Sequence, residues 1–354
     1  MIKVVIDASN RMKYSSFYIK GLEEVFGKEN ISFSSKYFKE LDRRSDSHSF
    51  DHYMAFVLLD GNNIKKIIID FRDKTTIKSN AYNWCDAYAK INFNKELSKD
   101  FSGKKIISIP PGFGIRIWNF WETIYYCFNN LSKCKFYPLE SYKLHFADYF
   151  SLYFRRSNLE AYYNKQTLIK TPKKSRENYV FFISTLWQHE SCYEGANIIR
   201  KRFIELCKQN EKIEFEGGFY SNTSHPQFKE FKDLIFLKRC SIKEYISKTI
   251  LSSFVFNTPA VFNCHGWKLG EFLALGKAII STPFFNDLPE NFIHGKNIHF
   301  VNNDSELEEA INLLLVDQDY KKQLEDGAKL YYDKYVSPKS VIQHILKNFS
   351  RILT

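Results

Sequence analysis

The sequence predicts an α/β protein made of two doubly wound domains, each with a parallel sheet. Three observations predict this. Short apolar strands alternate with helical stretches in both halves of the chain, which is the pattern of a parallel sheet with crossover helices. The 354 residues are long for one domain and comfortable for two. A polar, basic, proline-containing stretch at 168–177 divides them near the middle, as a linker does. The expected organisation is an N-terminal domain over 1–167, the linker, a C-terminal domain over 178–337, and a final helical segment over 338–354.

In the first half, Val4-Val5-Ile6 reads as a buried strand ending at Asp7. A helix through Tyr18, Leu22, Val25 and Phe26 follows it. Ile31-Ser32-Phe33 is a second strand, and 42–52 is polar and loop-like. Lys66–Asp70 is a clear strand, with Phe71-Arg72-Asp73 at its carboxyl end. A helix over 80–88 leads to short strands at Ala89–Asn92 and Lys105–Ile109. In open parallel sheets ligands bind beyond the carboxyl ends of the strands, which singles out Asp7, Asp70, Arg72 and Asp73. Residues 115–156 are crowded with Trp, Phe and Tyr and punctuated by basic residues. That pattern fits helices laid on the sheet, and it also fits an amphipathic surface that touches lipid headgroups.

The second half repeats the alternation. Tyr179–Ser184 is a strand, and Ala196, Ile199, Phe203 and Leu206 mark a helix over 193–209. Ile213–Gly218 reads as strand and turn. Ser241 opens a helix with Glu244 three residues on, a capping box. Ser253–Asn257 is a strand, Asn297–Val301 another, and helices follow at Ser305–Leu315, Asp319–Tyr332 and Val341–Leu353.

Composition bounds the function. A hydrophobic content of 44% supports packed cores, and a net charge of +11 fits an anionic partner. Seven irregularly spaced cysteines with no CxxC argue against a disulfide framework or a zinc site, and for a reducing, cytoplasmic compartment. Met1–Asp7 reads as a first strand and not as a signal peptide. No apolar run is long enough to span a bilayer.

The stretch Asn263–Pro283 is loop, helix, turn and strand. Leu269, Phe272 and Leu273 face a core, Gly276 stops the helix, and Ala278-Ile279-Ile280 is a short buried strand. Lys268 and Glu271 share one helical face near the N-terminal end, a plausible seat for a nucleotide diphosphate.

With Gly266, the run Glu271-Phe272-Leu273-Ala274-Leu275-Gly276-Lys277-Ala278-Ile279-Ile280-Ser281 resembles the C-terminal domain of the group-1, family 4-like glycosyltransferases. Downstream, Leu288-Pro289-Glu290, His294-Gly295-Lys296-Asn297, Asp304 and Leu314-Leu315 follow the same order. The resemblance covers roughly residues 180–350. It implies the GT-B fold, two Rossmann-like domains facing across a cleft, with the final helix crossing back to the N-terminal domain. It further implies sugar transfer from a nucleotide-diphosphate donor to a glycan or lipid-linked acceptor in bacterial-type surface polysaccharide assembly. Configuration would be retained and no metal or other cofactor is implied.

Residue by residue, the resemblance assigns Glu271 to the ribose hydroxyls, a task that suits a carboxylate's paired acceptors. The family's first acidic position falls on Asn263, a departure. His265, Gly266 and Trp267 stand where backbone amides meet the diphosphate, and Lys268 would neutralise phosphate charge. The family's Arg or Lys after the first strand is replaced by Ser184-Thr185-Leu186-Trp187-Gln188-His189. Leaving-group contacts then fall to Lys268, His189, Ser184 and Thr185, and Gly217 could let the backbone read a base edge. Asp70 and Asp73 are the candidates for handling an acceptor hydroxyl. The partners expected are a nucleotide sugar, the acceptor and an anionic membrane face, with no nucleic acid. The alternatives are a sugar-nucleotide epimerase of similar fold and a non-catalytic nucleotide- or nucleic-acid-binding protein.

Overall fold

The computed structural model describes residues 2–41, 43, 53–98, 101, 105–134, 139–163 and 178–352. The predicted linker, 168–177, and all of the polar stretch 42–52 except Arg43 lie outside the described residues. The chain divides into two compact units. One is Met1–Leu159 with Asn286–Pro289 and Lys334–Thr354; the other is Glu160–Phe285 with Glu290–Asp333.

The first unit is built on β1 (Lys3–Asp7), α1 (Met12–Phe26), β2 (Ile31–Ser34), β3 (Tyr53–Asp60), β4 (Asn63–Asp70), α2 (Ser79–Trp84), β5 (Ala87–Lys90), β6 (Ile106–Ser108), α3 (Phe120–Lys133) and α4 (Leu139–Arg155). Its six strands lie in the order β2-β1-β3-β4-β5-β6. Side chains alternate across it. Val5, Ala55, Val57, Ile68 and Tyr88 share one core with Phe38, Leu41 and Trp84. Their neighbours Val4, Ile6, Met54, Phe56, Ile67 and Ile69 are equally buried, so both faces are covered, as parallel-dominant sheets require.

The sequence did not reveal β3. It pairs antiparallel with both β1 and β4, whereas β1–β2, β4–β5 and β5–β6 are parallel. The β3–β4 register pairs Asp60 with Asn63, leaving a two-residue turn in which Gly61 supplies a positive φ of 57°. The N-terminus of α1 is capped from a distance: the Asp148 carboxylate on α4 accepts from the amides of Met12 and Lys13. Asn119 and Glu122 close a capping box at the start of α3, each bond 2.9 Å.

The second unit comprises α5 (Glu160–Tyr163), β7 (Tyr179–Thr185), a π-helical turn (Cys192–Ala196) running into α6 (Asn197–Gln209), β8 (Glu214–Tyr220), α7 (Ile242–Leu251), β9 (Val255–Asn257), α8 (Trp267–Ala274), β10 (Ile279–Ser281), β11 (His299–Phe300), α9 (Asp304–Val316) and α10 (Gln318–Tyr331). All named strand pairs here are parallel: β7 with β8, and β10 with both β9 and β11. β9 follows a segment held to β7, where the Ser253 amide donates to the Tyr179 carbonyl at 2.7 Å. Val180, Phe182, Phe256 and Ile280 turn one way into a core shared with Phe203, Ile204, Leu307, Ile311 and Leu324. The α/β class and the parallel sheet predicted for this half are what the structure contains.

The glycines of β8 have a reason other than a turn. Gly217 and Gly218 lie inside the strand at φ 139° and 146°, a region that only glycine occupies readily. A Cβ on Gly217 would sit 1.7 Å from the Phe182 carbonyl oxygen, and one on Gly218 2.3 Å from that of Leu234. Gly217 is required by the close approach of β7.

The first unit is completed by α11 (Pro338–Ile352), which lies along α1. Gly21 makes this possible: a Cβ there would fall 2.2 Å from the Pro338 carbonyl oxygen. Val341, Ile342 and Ile345 are fully buried.

Candidate functional site

The expected residues of the first unit separate sharply. Asp70, at the end of β4, is fully buried. Its carboxylate takes Arg72 Nη2 at 2.7 Å, Tyr88 Oη at 2.5 Å and Lys90 Nζ at 3.1 Å. Burial alone would raise its pKa, but the charges of Lys90 and Arg72 outweigh that and hold it below the ordinary carboxylate range. Asp70 is therefore enclosed by Arg72, Tyr88 and Lys90, which engage its carboxylate. Asp73, three residues on, is exposed.

In the second unit Asn263, His265, Gly266, Trp267, Lys268 and Glu271 lie in the first turns of α8 or in the loop that leads into it. This helix buries Leu269 through Ala274, and Gly266 at its N-cap brings no side-chain hydrogen bond to its amides. A Cβ on Gly266 would meet nothing within 4 Å, so the space before the helix is open. A helix start of this kind carries a partial positive charge.

The loop leading into α8 is strained. Phe262 and Asn263 both hold φ of 56°, which is uncommon for any side-chain-bearing residue and an outlier for phenylalanine. The loop after β7 pins it there. Ser191 Oγ accepts from the Phe262 amide at 3.2 Å and lies 2.8 Å from His189 Nδ1. The His189 and Phe262 rings are 4.3 Å apart. Asn263 itself is exposed. His265 is buried with its ring 5.3 Å from Phe284. Thr185 is exposed, while Ser184 is buried with its hydroxyl 3.4 Å from the Thr185 carbonyl. Trp187 is partly exposed, and its backbone is fixed at both ends by Asn197.

Two charged groups rise from α8. Glu271 is 5% exposed and accepts from Tyr245 Oη at 3.1 Å and Tyr162 Oη at 3.4 Å. Burial, and after it the Glu271 charge, pushes the Tyr245 hydroxyl well above its ordinary pKa, so it remains a donor. Lys268 reaches back to the Ile183 carbonyl, with its amine 5.2 Å from the Phe182 ring. Burial and then the charge of Arg200 lower its pKa from 10.5 to about 7, against the pull of Glu271.

Arg200 is the residue that sequence reasoning missed. It sits on α6, donates from Nε to Thr258 Oγ1 at 2.8 Å, and reaches the Pro259 carbonyl from Nη2 at 3.4 Å. A signal was present: Arg200 falls on the stripe of Phe203, Ile204 and Cys207, where an apolar side chain is expected.

Among the described residues no group of three or more His, Cys, Asp or Glu could hold a metal ion. No helix among them is long and apolar enough to cross a membrane.

No family model matches the chain, and no curated protein matches it. Solved structures do. The chain is similar to TarM at 12% identity and a TM-score of 0.44, over 78% of this chain; it spans 47% of TarM's own length. It is similar to HepE of Anabaena, solved in complex with UDP-glucose, at 13% identity and a TM-score of 0.45, over 80% of this chain and 72% of that one. In fold it is likewise similar to a glycosyltransferase from Rickettsia africae, at 14% identity and a TM-score of 0.43, over 81% of this chain and 77% of that one.

Proposed function

We propose that this protein is a GT-B glycosyltransferase moving a sugar from a nucleotide-diphosphate donor to a glycan or lipid-linked acceptor. One observation supports this most. An uncapped helix start, a lysine amine and a buried glutamate lie together within the first turns of α8. The first two suit a phosphate anion, and the third suits a vicinal diol. In a nucleoside diphosphate these groups are neighbours.

On this reading Glu271 holds the ribose, and the backbone at His265, Gly266 and Trp267 meets the diphosphate. When the bond from the anomeric carbon to the phosphate oxygen breaks, negative charge gathers on the leaving diphosphate. The helix start and a protonated Lys268 oppose that charge where it develops. Ser184, Thr185, His189 and Asn263 border the donor sugar. Asn263 offers an amide where an acid would repel the departing phosphate. Transfer proceeds with retention of configuration and without a bound metal, in surface polysaccharide assembly on the cytoplasmic side.

The test is incubation with a panel of nucleotide sugars. Slow release of nucleoside diphosphate from at least one is expected, with a thermal shift by the matching diphosphate. No release from any donor and no shift by any nucleoside diphosphate would refute the assignment.

Contact with an anionic membrane belongs to the same reading. Trp121, Tyr125 and Phe128 recur at helical spacing on the outer side of α3, with Trp121 75% exposed, and Phe154 of α4 is also exposed. Exposed Lys143 and Arg155 flank them. Co-sedimentation with phosphatidylglycerol vesicles is expected, weakened about tenfold by Trp121→Ser with Phe128→Ser. Equal sedimentation of the wild type with and without vesicles would remove the membrane from the account.

A further inference from the structure

Arg200 lies inside the second unit at 7% exposure. Both of its hydrogen-bond acceptors, the Thr258 hydroxyl and the Pro259 carbonyl, are neutral. Its remaining nitrogen, Nη1, has no acceptor among the described residues, and no carboxylate lies within ion-pair distance of the guanidinium among them. Burial lowers its pKa from 12.5 only to about 10, so it stays charged at neutral pH. A buried cation held by neutral groups alone destabilises a fold, and such charges are ordinarily paired. Among the described residues no carboxylate provides the pairing charge.

The surroundings show what would. Thr258 and Pro259 lead directly into the strained Phe262–Asn263 segment and then the uncapped start of α8. Arg200 is near enough to Lys268 for its charge to work against protonation of the amine. Guanidinium, amine and helix start therefore bring three positive features to one place. The carboxylate that faces Lys268 is Glu271, and two tyrosines already engage it.

We propose that Arg200 is the fixed counter-charge of an anionic ligand at this site, standing behind the start of α8. The ligand's identity as a diphosphate rests on the function proposed above. The positive charge itself does not depend on it. Arg200 is a positioning residue: it sets the local potential, while the amides and Lys268 make the contact.

The probe is inorganic pyrophosphate, with melting temperature and calorimetric affinity measured on the full chain. Arg200→Met is expected to melt no lower than the wild type without ligand, since an uncompensated buried charge has gone. Its pyrophosphate affinity is expected to fall at least about tenfold. Arg200→Lys, which keeps the charge and loses the fork, is expected to recover part of that affinity. Should the methionine variant not fold, Arg200→Gln gives the same readings. Unchanged pyrophosphate affinity in the uncharged variant would overturn the assignment. So would an equal loss in the methionine and lysine variants accompanied by lower melting temperatures, which is the mark of a structural brace. If pyrophosphate binds through Arg200 but no nucleotide sugar is turned over, the glycosyl-transfer reading fails and this one stands. Turnover of a nucleotide sugar with Arg200→Met binding pyrophosphate normally gives the reverse.

Discussion

Replacing Glu271 with glutamine is expected to weaken nucleoside diphosphate binding about a hundredfold while leaving the protein folded. The carboxylate would accept two charge-assisted hydrogen bonds from the ribose, each worth about 1.5–3 kcal/mol. Losing roughly 3 kcal/mol of these corresponds to about two decades in affinity. The two tyrosines bond different carboxylate oxygens, Tyr162 to Oε1 and Tyr245 to Oε2. Glutamine keeps one carbonyl for Tyr162 and Tyr245 to share. A stability loss of about 1–2 kcal/mol is therefore expected beside the affinity loss. Calorimetric titration and thermal melting separate the two. Full affinity with a lowered melting temperature would make Glu271 an anchor for the tyrosines alone.

Lys268→Met is expected to change how both stability and binding depend on pH. The lysine titrates near its ordinary 10.5 when unfolded and near 7 in the folded protein. Between those values the unfolded chain binds more protons, so the wild type gains stability as pH rises from about 7 towards 10.5. Below about 7 both forms carry the proton, and the full penalty of holding it in the fold is present. Methionine has no such penalty. The variant should be the more stable protein at pH 6, by an amount on the order of a few kcal/mol at most, and should lack the rise. An anionic ligand favours the charged amine, so wild-type diphosphate affinity should fall by up to about tenfold per unit as pH rises above 7. In the variant it should be weak and flat. Calorimetry at pH 6, 7 and 8 checks this. Parallel pH profiles for the two proteins would mean that Lys268 is not the titrating contact.

The sequence carried much of the second unit. Its strands are short apolar runs, and α8 announces itself through Leu269, Phe272, Leu273 and Gly276. Other features depend on pairings that a linear reading does not display. Asp70 looked like a carboxylate at a strand edge. Its partner Lys90 stands opposite it only because β4 and β5 pair in a register that sets Asp70 against Lys90. The glycines of β8 looked like a turn because the crowding they relieve comes from β7 and from Leu234. Arg200 carries its meaning through Thr258 and Pro259, far along the chain. In each case the residue type was visible, and the long-range contact that decides its role was not.

The fit of Pro338 against Gly21 has a consequence for the order in which the molecule forms. The first unit is threaded from both extremes of the sequence, since α1 is covered by α11. During synthesis, α1 emerges early, and its Gly21 face stays uncovered until α11 leaves the ribosome, after the whole second unit. Contacts so remote in sequence are slow to close. The second unit, whose strands follow one another in a nearly continuous stretch, can consolidate first, leaving the first to be sealed last.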